Sequence, residues 1–481
     1  MSSDIGMYGL GVMGENLVMN LAEHGFRVSV TNLWTEAVDS FSSGRGKGKC
    51  LPCYTVEEFV ASLAIPRKIF MMIKAGSPVD ETIERLLPLL SPGDILIDGG
   101  NSHYKDTLRR LARVEAAGLL YVGSGVSGGE LGALRGPSLM PGGSAAAWDA
   151  IAPIFTAISA KVQPGDQPCC SWMGSGGAGH YVKMVHNGIE YGDMQLICEC
   201  YDLMRKLTGS NAQALSMVFD EWSRGPLASY LIEITRDILA TKEADGGALV
   251  DRILDVAMQK GTGKWASQEA LERQIPLSLI TEAVYARMLS GCKEERQQAA
   301  ALAVHPLQPS IPLSSLAPLL EQALYAAKVI SYAQGFSLMR MASEQYHWEL
   351  HYGEIAKIWR GGCIIRSSFL GSIADAFSKE AGLVNLMLDD YFAERLAAAI
   401  PALRQVVSMG ALGGVPLPAI SAALAYYDGY HSQQLPANLL QAQRDYFGAH
   451  MVERTDAPRG EFFHYNWSGE GGDTASTVYE R

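Results

Sequence analysis

The chain is short of charge, and of cations above all: 39 Lys and Arg stand against 51 Asp and Glu, a formal net charge of −12. That balance argues against non-specific nucleic-acid binding, while leaving room for a locally basic pocket that takes an anionic metabolite. The opening residues, MSSDIGMYG, show no basic segment followed by an apolar run, so no signal peptide is expected. The 8 cysteines build no disulfide framework. Cys50-Leu51-Pro52-Cys53 has C-x-x-C spacing, but no second such pair and no His cluster completes a zinc site. With Cys169-Cys170 and Cys198-Glu199-Cys200 they read as reduced thiols, and a redox role for Cys50 and Cys53 stays open. His, Asp and Glu nowhere show metal-ligand spacing, so no metal is expected. One long uncharged run, Val406 to Tyr427, approaches the length of a membrane span. Gly413-Gly414 and Pro416-Leu417-Pro418 interrupt it, which predicts two buried helices joined by a turn and no membrane segment. The expected setting is the cytoplasm.

What is present reads as an ordinary globular chain: 481 residues, 48% apolar and 19% charged, enough for two or three domains with generous cores. The first part alternates. Strands are expected at Asp4 to Tyr8, Arg27 to Thr31, Lys68 to Ile73, Asp94 to Asp98 and Leu119 to Val122. Helical patterns at Met13 to His24, Val79 to Leu90 and Tyr104 to Ala117 lie between them, and Pro141-Gly142-Gly143 and Pro164-Gly165 read as turns. Such alternation implies an α/β, doubly wound parallel sheet, assigned to residues 1–178.

From residue 179 the pattern is helical: His180 to Leu207, Ala228 to Thr241, Leu316 to Ser343, Leu383 to Ile400. Residues 179–435 are assigned to a large all-α domain. Leu203-Met204-Arg205, Trp222 and Ser229-Tyr230-Leu231 recur as Leu338-Met339-Arg340, Trp359 and Ser368-Phe369-Leu370, which suggests a duplicated helical unit. Residues 436–481 begin with a helix ending near Phe447 and continue into a Gly-rich polar stretch, Asn466 to Asp473. A tail of that composition is expected to be disordered or laid over another surface, such as a partner subunit.

Two segments carry chemistry. Gly9-Leu10-Gly11-Val12-Met13-Gly14 fits G-x-G-x-x-G between a strand and a helix. Glycines there permit a tight turn and let a dinucleotide pyrophosphate approach the positive helix end, as in a Rossmann-type domain. A bare motif of this kind also arises as a chance glycine turn; the flanking strand, helix and second strand favour dinucleotide binding. The second strand ends in Asn32-Leu33-Trp34-Thr35, with neither the acid that holds a ribose diol nor the Arg that holds a 2′-phosphate. Asn32 can still bond the ribose, and Trp34 is placed either to stack on adenine or to pack. The run Arg45-Gly46-Lys47-Gly48-Lys49 either supplies charge to a phosphate or is a solvated loop.

In Gly179 to Tyr191, Lys183, Asn187 and Glu190 fall at i, i+4 and i+7 of a helix with His186 beside them, so all share one face. A solvated face with a Lys–Glu pair satisfies that spacing; the amide and imidazole alongside point instead to a site. An amine and a carboxylic acid so spaced suit an oxidative decarboxylation: Lys183, if neutral, takes a hydroxyl proton, and Glu190, if protonated, protonates the enediol left after CO₂ departs.

These motifs, with Ile97–Asn101 (IDGGN), Gly125–Glu130 (GVSGGE), Lys260–Trp265 (KGTGKW) and Gln441–His450 (QAQRDYFGAH), resemble those of the 6-phosphogluconate dehydrogenases, and the likeness covers essentially the whole chain. The resemblance implies decarboxylating oxidation of 6-phosphogluconate in the pentose phosphate pathway and gluconate utilization, with Lys183 as base and Glu190 as acid. It implies that Asn101, Ser127, Gly128, Gly129, His186 and Asn187 hold the sugar acid and that Tyr191, Lys260 and Arg287 bind its phosphate. Arg444 and His450 match residues reaching in from a neighbouring subunit, hence a homodimer with interlocking tails. For the cofactor, NADP, it implies Gly9, Leu10, Gly11, Val12, Met13, Gly14, Asn32, Trp34, Lys74, Ala75 and Asn101. Leu33, Trp34 and Ala37 stand where Arg, Ser or Thr, and Lys are expected for the 2′-phosphate, so use of NAD is open. A shorter-substrate β-hydroxyacid dehydrogenase, such as one for 3-hydroxyisobutyrate, shares the glycine loop and the Lys but lacks the second helical block and the tail. A catalytically silent dinucleotide-binding protein has no use for Lys183 and Glu190.

Overall fold

The computed structural model describes residues 2–257, 261–302, 311–471 and 474–476. They fall into two compact units, Met1–Leu424 and Ala425–Arg481. The first unit opens with seven strands: β1 (Ile5–Tyr8), β2 (Val28–Thr31), β3 (Leu51–Pro52), β4 (Lys68–Met71), β5 (Ile95–Asp98), β6 (Leu120–Ser127) and β7 (Ser138–Gly143). They lie in the order β3-β2-β1-β4-β5-β6-β7, parallel except for β7, which runs antiparallel to β6. Side chains alternate between two cores, one on each face: Ile5, Met7, Phe70, Ile95 and Ile97 enter one, and Tyr8, Ile69, Met71 and Leu96 the other. Burial on both faces is why β1, β2 and β5 are buried at every residue.

Two expectations are corrected here. Pro141-Gly142-Gly143 is no turn but the end of β7, where Gly143 pairs with Val122 and Pro141 with Ser124. Proline is tolerated because β7 is an edge strand. The fifth expected strand, Leu119 to Val122, is β6 and runs on to Ser127; its glycine-rich second half has no apolar run to reveal it. Cys50 and Cys53 bracket the short β3, and burial lifts the Cys50 thiol to about 11, which makes it a poor nucleophile.

Apart from a short antiparallel ladder, Lys161–Val162 with Gln167–Pro168, which turns at Pro164-Gly165 as expected, the remainder of the first unit is helical. Its axis is a pair of packed long helices, Ala178–Thr208 and Leu313–Tyr346. The first is capped at its end by Gly209 in the left-handed region, φ 67°. The duplicated pattern corresponds to a repeated order of elements. The Leu203-Met204-Arg205 and Leu338-Met339-Arg340 triplets close to the ends of the long helices are followed by short helices leading to Trp222 and Trp359, and then by Tyr230–Ala240 and Leu370–Lys379. The linkers of the two copies meet: Tyr230 N donates to Arg366 O (3.0 Å) and Ser368 N to Ala228 O (2.9 Å). Leu383 to Ile400 is not one helix; a 3-10 turn at Leu386–Leu388 precedes the Asp390–Gly413 helix, whose first turn Asp389 caps. Among the described residues this helix is the one long and apolar enough to cross a membrane, yet it packs against Leu313–Tyr346 and buries Phe392, Leu396, Leu403 and Val406. Gly414 ends it in the left-handed region, and Pro418–Tyr430 follows, so the uncharged run is two helices joined by a turn.

The second unit contains the Ala437–Gly448 helix and a short antiparallel ladder, Val452–Glu453 with Phe462–Phe463. It is organised on a carboxylate and not on an apolar core. Buried Asp445 accepts from Met451 N (2.8 Å), Tyr465 N (3.0 Å), Trp467 Nε1 (2.8 Å) and His464 Nδ1 (2.9 Å). Asn466 closes a turn by accepting from Gly471 N and donating to Gly471 O.

Where the two long helices cross, Lys328 Nζ meets both carboxylate oxygens of Asp193, and both side chains are fully buried. Lys328→Met should cost about 3–5 kcal/mol in chemical denaturation, because it strands a buried carboxylate. Adding Asp193→Asn should restore most of the loss; equal stability of the single and double variants would refute a charge-pairing role.

Candidate active site

The glycine loop joins β1 to the Val12–Glu23 helix. A Cβ on Gly14 would lie 2.0 Å from Gly9 O, so the turn admits nothing larger there. Gly11 is different: its Cβ would meet nothing within 4 Å. No side chain caps the helix, and its first residues Val12, Met13 and Gly14 border a cleft, an arrangement open to a pyrophosphate. Asn32, at the end of β2, braces the loop by accepting from Leu10 N (3.1 Å).

The Ala178–Thr208 helix starts directly on the sheet. A Cβ on Gly125 of β6 would lie 2.4 Å from Lys183 Cβ, so glycine is what lets strand and helix approach here. Between glycine loop and helix lies a cleft of about 670 Å³. Of the residues singled out from the sequence, Gly11, Val12, Met13, Gly14, Asn101, Ser127, Gly128, Gly129, Lys183, Asn187, Glu190, Tyr191 and Arg287 line it. His186 is buried immediately behind: its Nδ1 is 3.4 Å from Lys183 Nζ, 3.2 Å from Asn187 Oδ1 and 3.8 Å from Glu190 Oε2, and its Nε2 is 3.1 Å from Ser127 Oγ. Gly9 and Leu10 shape the turn without lining the cleft, and Asn32, Trp34, Lys74 and Ala75 are not part of its wall. Lys260 lies outside the described residues. Arg444 and His450 belong to the second unit, where Arg444 donates to Gln441 Oε1 (3.0 Å) and His450 Nδ1 is 3.1 Å from Ser476 Oγ.

Burial sets the electrostatics. Lys183 is only 6% exposed. Desolvation pulls its ammonium below the usual lysine range, against the opposing charge of Glu190. Desolvation pushes the Glu190 carboxyl up, against Lys183 and Arg287. Desolvation and the charge of Lys183 hold His186 well below its ordinary range, so it is a neutral imidazole. Arg287 stacks its guanidinium on Tyr191, 3.5 Å from the ring centroid. The arrangement offers an amine that can be neutral and a carboxyl that can be protonated, two helical turns apart on one wall. Among the described residues no group of three or more His, Cys, Asp or Glu is arranged to hold a metal.

Sequence reasoning missed the support of the Gly99-Gly100-Asn101 rim. Buried Asp98, closing β5, accepts from Gly100 N (3.0 Å), Ser102 Oγ (2.6 Å), Tyr121 Oη (3.1 Å) and Arg110 Nη1 (3.4 Å). Arg110 in turn hydrogen-bonds Asp80 and holds its carboxyl down to about 2. A lone Asp ending an apolar strand was the available signal. Met194 and Ile364 also line the cleft without any motif pattern to mark them, and Thr262, within the KGTGKW segment but given no role there, lines it too. Gly125→Ala forces a methyl into the base of Lys183, and a misplacement of about 1 Å of a group that takes part in a reaction is worth roughly 100-fold in turnover. A kcat reduced on that scale, with dinucleotide binding retained, is the expected outcome; unchanged kcat would show that the close approach is dispensable.

Residues 4–174 match the NAD binding domain of 6-phosphogluconate dehydrogenase, and residues 179–467 the 6-phosphogluconate dehydrogenase C-terminal domain. The chain is 54% identical over 487 residues to a Treponema pallidum protein, "6-phosphogluconate dehydrogenase, decarboxylating", covering 100% of both. It is 54% identical over 485 residues to a Dictyostelium discoideum protein of the same name, covering 99% of this chain and 98% of the relative. A solved Plasmodium falciparum 6-phosphogluconate dehydrogenase, described in its apo form, with its cofactor NADP+ and with its substrate 6-phosphogluconate, superimposes with TM-score 0.91 at 45% identity, covering 96% of this chain and 100% of that one. With both parts of the chain matched and relatives aligned from end to end, the chain belongs to the 6-phosphogluconate dehydrogenase family.

Proposed function

We propose that the chain oxidatively decarboxylates 6-phospho-D-gluconate to D-ribulose 5-phosphate and CO₂ while NADP+ is reduced. The observation that carries this reading is a single cleft lined by both the glycine loop and the pair Lys183 and Glu190, whose pKa values burial shifts in opposite directions, each toward its neutral form. NADP+ supplies the hydride acceptor. Lys183 Nζ, neutral through desolvation, takes the proton of the hydroxyl being oxidised. The ammonium so formed then polarises the keto oxygen while the β-keto acid loses CO₂, so no metal is invoked. Glu190, protonated through burial, delivers a proton to the carbon of the resulting enediol.

Asn101, Ser127, Gly128, Gly129, His186 and Asn187 hold the sugar acid in this reading. Tyr191, Lys260 and Arg287 take its phosphate, for which a guanidinium fork braced on an aromatic face is well suited. Gly9, Leu10, Gly11, Val12, Met13, Gly14, Asn32, Trp34, Lys74, Ala75 and Asn101 serve the dinucleotide. Residues 1–178 act as the dinucleotide-binding domain, 179–435 as the substrate and dimerisation domain, and 436–481 as a tail that carries Arg444 and His450 to the partner of a cytoplasmic homodimer. Exposed Leu439, Leu440, Tyr446 and Phe447 on the Ala437–Gly448 helix support that role for the tail.

The reading is tested by following reduced-nicotinamide absorbance with 6-phosphogluconate; no growth with either NADP+ or NAD+ would sink it. Lys183→Ala should lower kcat by about 10³-fold or more, the scale of general base catalysis, with cofactor affinity retained. Substantial residual turnover would remove Lys183 as the base. The pH profile follows from the signs: rate falls as acid protonates Lys183 and as alkali ionises Glu190. Glu190→Gln should therefore be slow and lose the alkaline limb while keeping the acid one; an intact alkaline limb would assign it to another group.

A further inference from the structure

The end of β2 bears on which dinucleotide the chain takes. In a doubly wound sheet this position meets the adenosine ribose, where a carboxylate grips the diol of NAD+ and a nearby Arg grips the 2′-phosphate of NADP+. Here Asn32 is committed to the protein: its Oδ1 accepts from Leu10 N (3.1 Å) and its Nδ2 donates to Trp34 O (3.3 Å). Leu33 and Trp34 follow, 55% and 67% exposed. That exposure excludes core packing for Trp34. The nearest downstream cation, Arg45, is also committed. Its Nη2 donates to Asn16 Oδ1 (2.7 Å), and its Nη1 lies 3.8 Å from Glu15 Oε2. The charge in the first turn of the Thr35–Ser43 helix, which Trp34 precedes, is acidic Glu36. Lys47 and Lys49 lie exposed on the loop beyond Arg45. Register sets that loop at the other end of the strand: Lys49 stands two residues before Leu51, which pairs with Ser29 near the start of β2. Among the described residues, the rim of the ribose subsite thus offers the exposed Trp34 ring.

We propose that this chain holds the adenosine end of its dinucleotide by stacking on Trp34 and not by charge, so that NAD+ and NADP+ bind with similar affinity. The proposal rests on the reading of the glycine loop as a dinucleotide site. It makes Leu33 and Trp34 the specificity-determining residues of that subsite. Neither reaches the reacting atoms.

Calorimetric titration of the full chain with NADP+ and with NAD+, in the absence of sugar acid, tests this independently of turnover. The two dissociation constants should agree within about tenfold, less than one charge-assisted hydrogen bond would separate them. Leu33→Arg should tighten NADP+ by about tenfold or more and leave NAD+ unchanged. Trp34→Ala should weaken both by about tenfold, the loss of one base–aromatic stack. NADP+ bound more than about tenfold tighter by the unmodified chain would overturn the proposal, since a 2′-phosphate ligand must then exist. Unaltered affinities in Trp34→Ala, or unaltered NADP+ affinity in Leu33→Arg, would overturn it as well. If neither dinucleotide binds, the dinucleotide reading falls and takes the proposal with it. If both bind alike and 6-phosphogluconate is not oxidised, the proposal stands and the proposed function fails.

Discussion

The rest of the structure depends on how closely the Ala178–Thr208 helix lies against the edge of the sheet. Gly125 touches the base of Lys183, and a Cβ on Gly179 would lie 2.3 Å from Gly123 O and 2.4 Å from Met140 O. Helix and strand are in backbone contact at the point where a spacer side chain would otherwise stand. Lys183 consequently enters the cleft from a dry wall, not from the tip of a solvated helix. The lowered pKa of Lys183, the raised pKa of Glu190 and the lowered pKa of His186 all have desolvation as their largest cause. The chemistry is a result of packing distance.

An adjoining side of that helix is fixed just as firmly. It meets Leu313–Tyr346 through the buried Asp193–Lys328 pair, one turn beyond Glu190, and a Cβ on Gly335 would lie 2.6 Å from Ile189 Cδ1. The second copy of the helical repeat also reaches the site. Trp359 packs edge-on against His186, with ring centroids 5.6 Å apart, and Ile364 lines the cleft. Duplication of the helical unit therefore gives one copy to carry the face of Lys183, Asn187 and Glu190 and the other to pack behind it. A polar lattice does the same for the rim: Asp98, Ser102, Tyr121 and Arg110 fix the loop that presents Asn101.

Much of this was legible in the residues. Strand–helix alternation, the glycine loop and the i, i+4, i+7 face of Lys183, Asn187 and Glu190 are local patterns, and local patterns survive folding. The glycine-rich half of β6 and all of β7 were not legible, because Gly and Pro mark turns unless an edge strand absorbs them. Asp98 and Arg110 are 12 residues apart in sequence and show no spacing that betrays their contact.

The sequence alone therefore determined which side chains share a helix face, where a glycine-rich turn joins the first strand to its helix, and that Asn32-Leu33-Trp34-Thr35 carries no charge. Each follows from covalent order and the helical or strand period. Only the tertiary structure decided that Lys183 is dry, that His186 is neutral behind it, and that Asn32 and Arg45 are already engaged elsewhere. Those properties depend on what other segments bring within a few ångströms, and no periodicity along the chain encodes them.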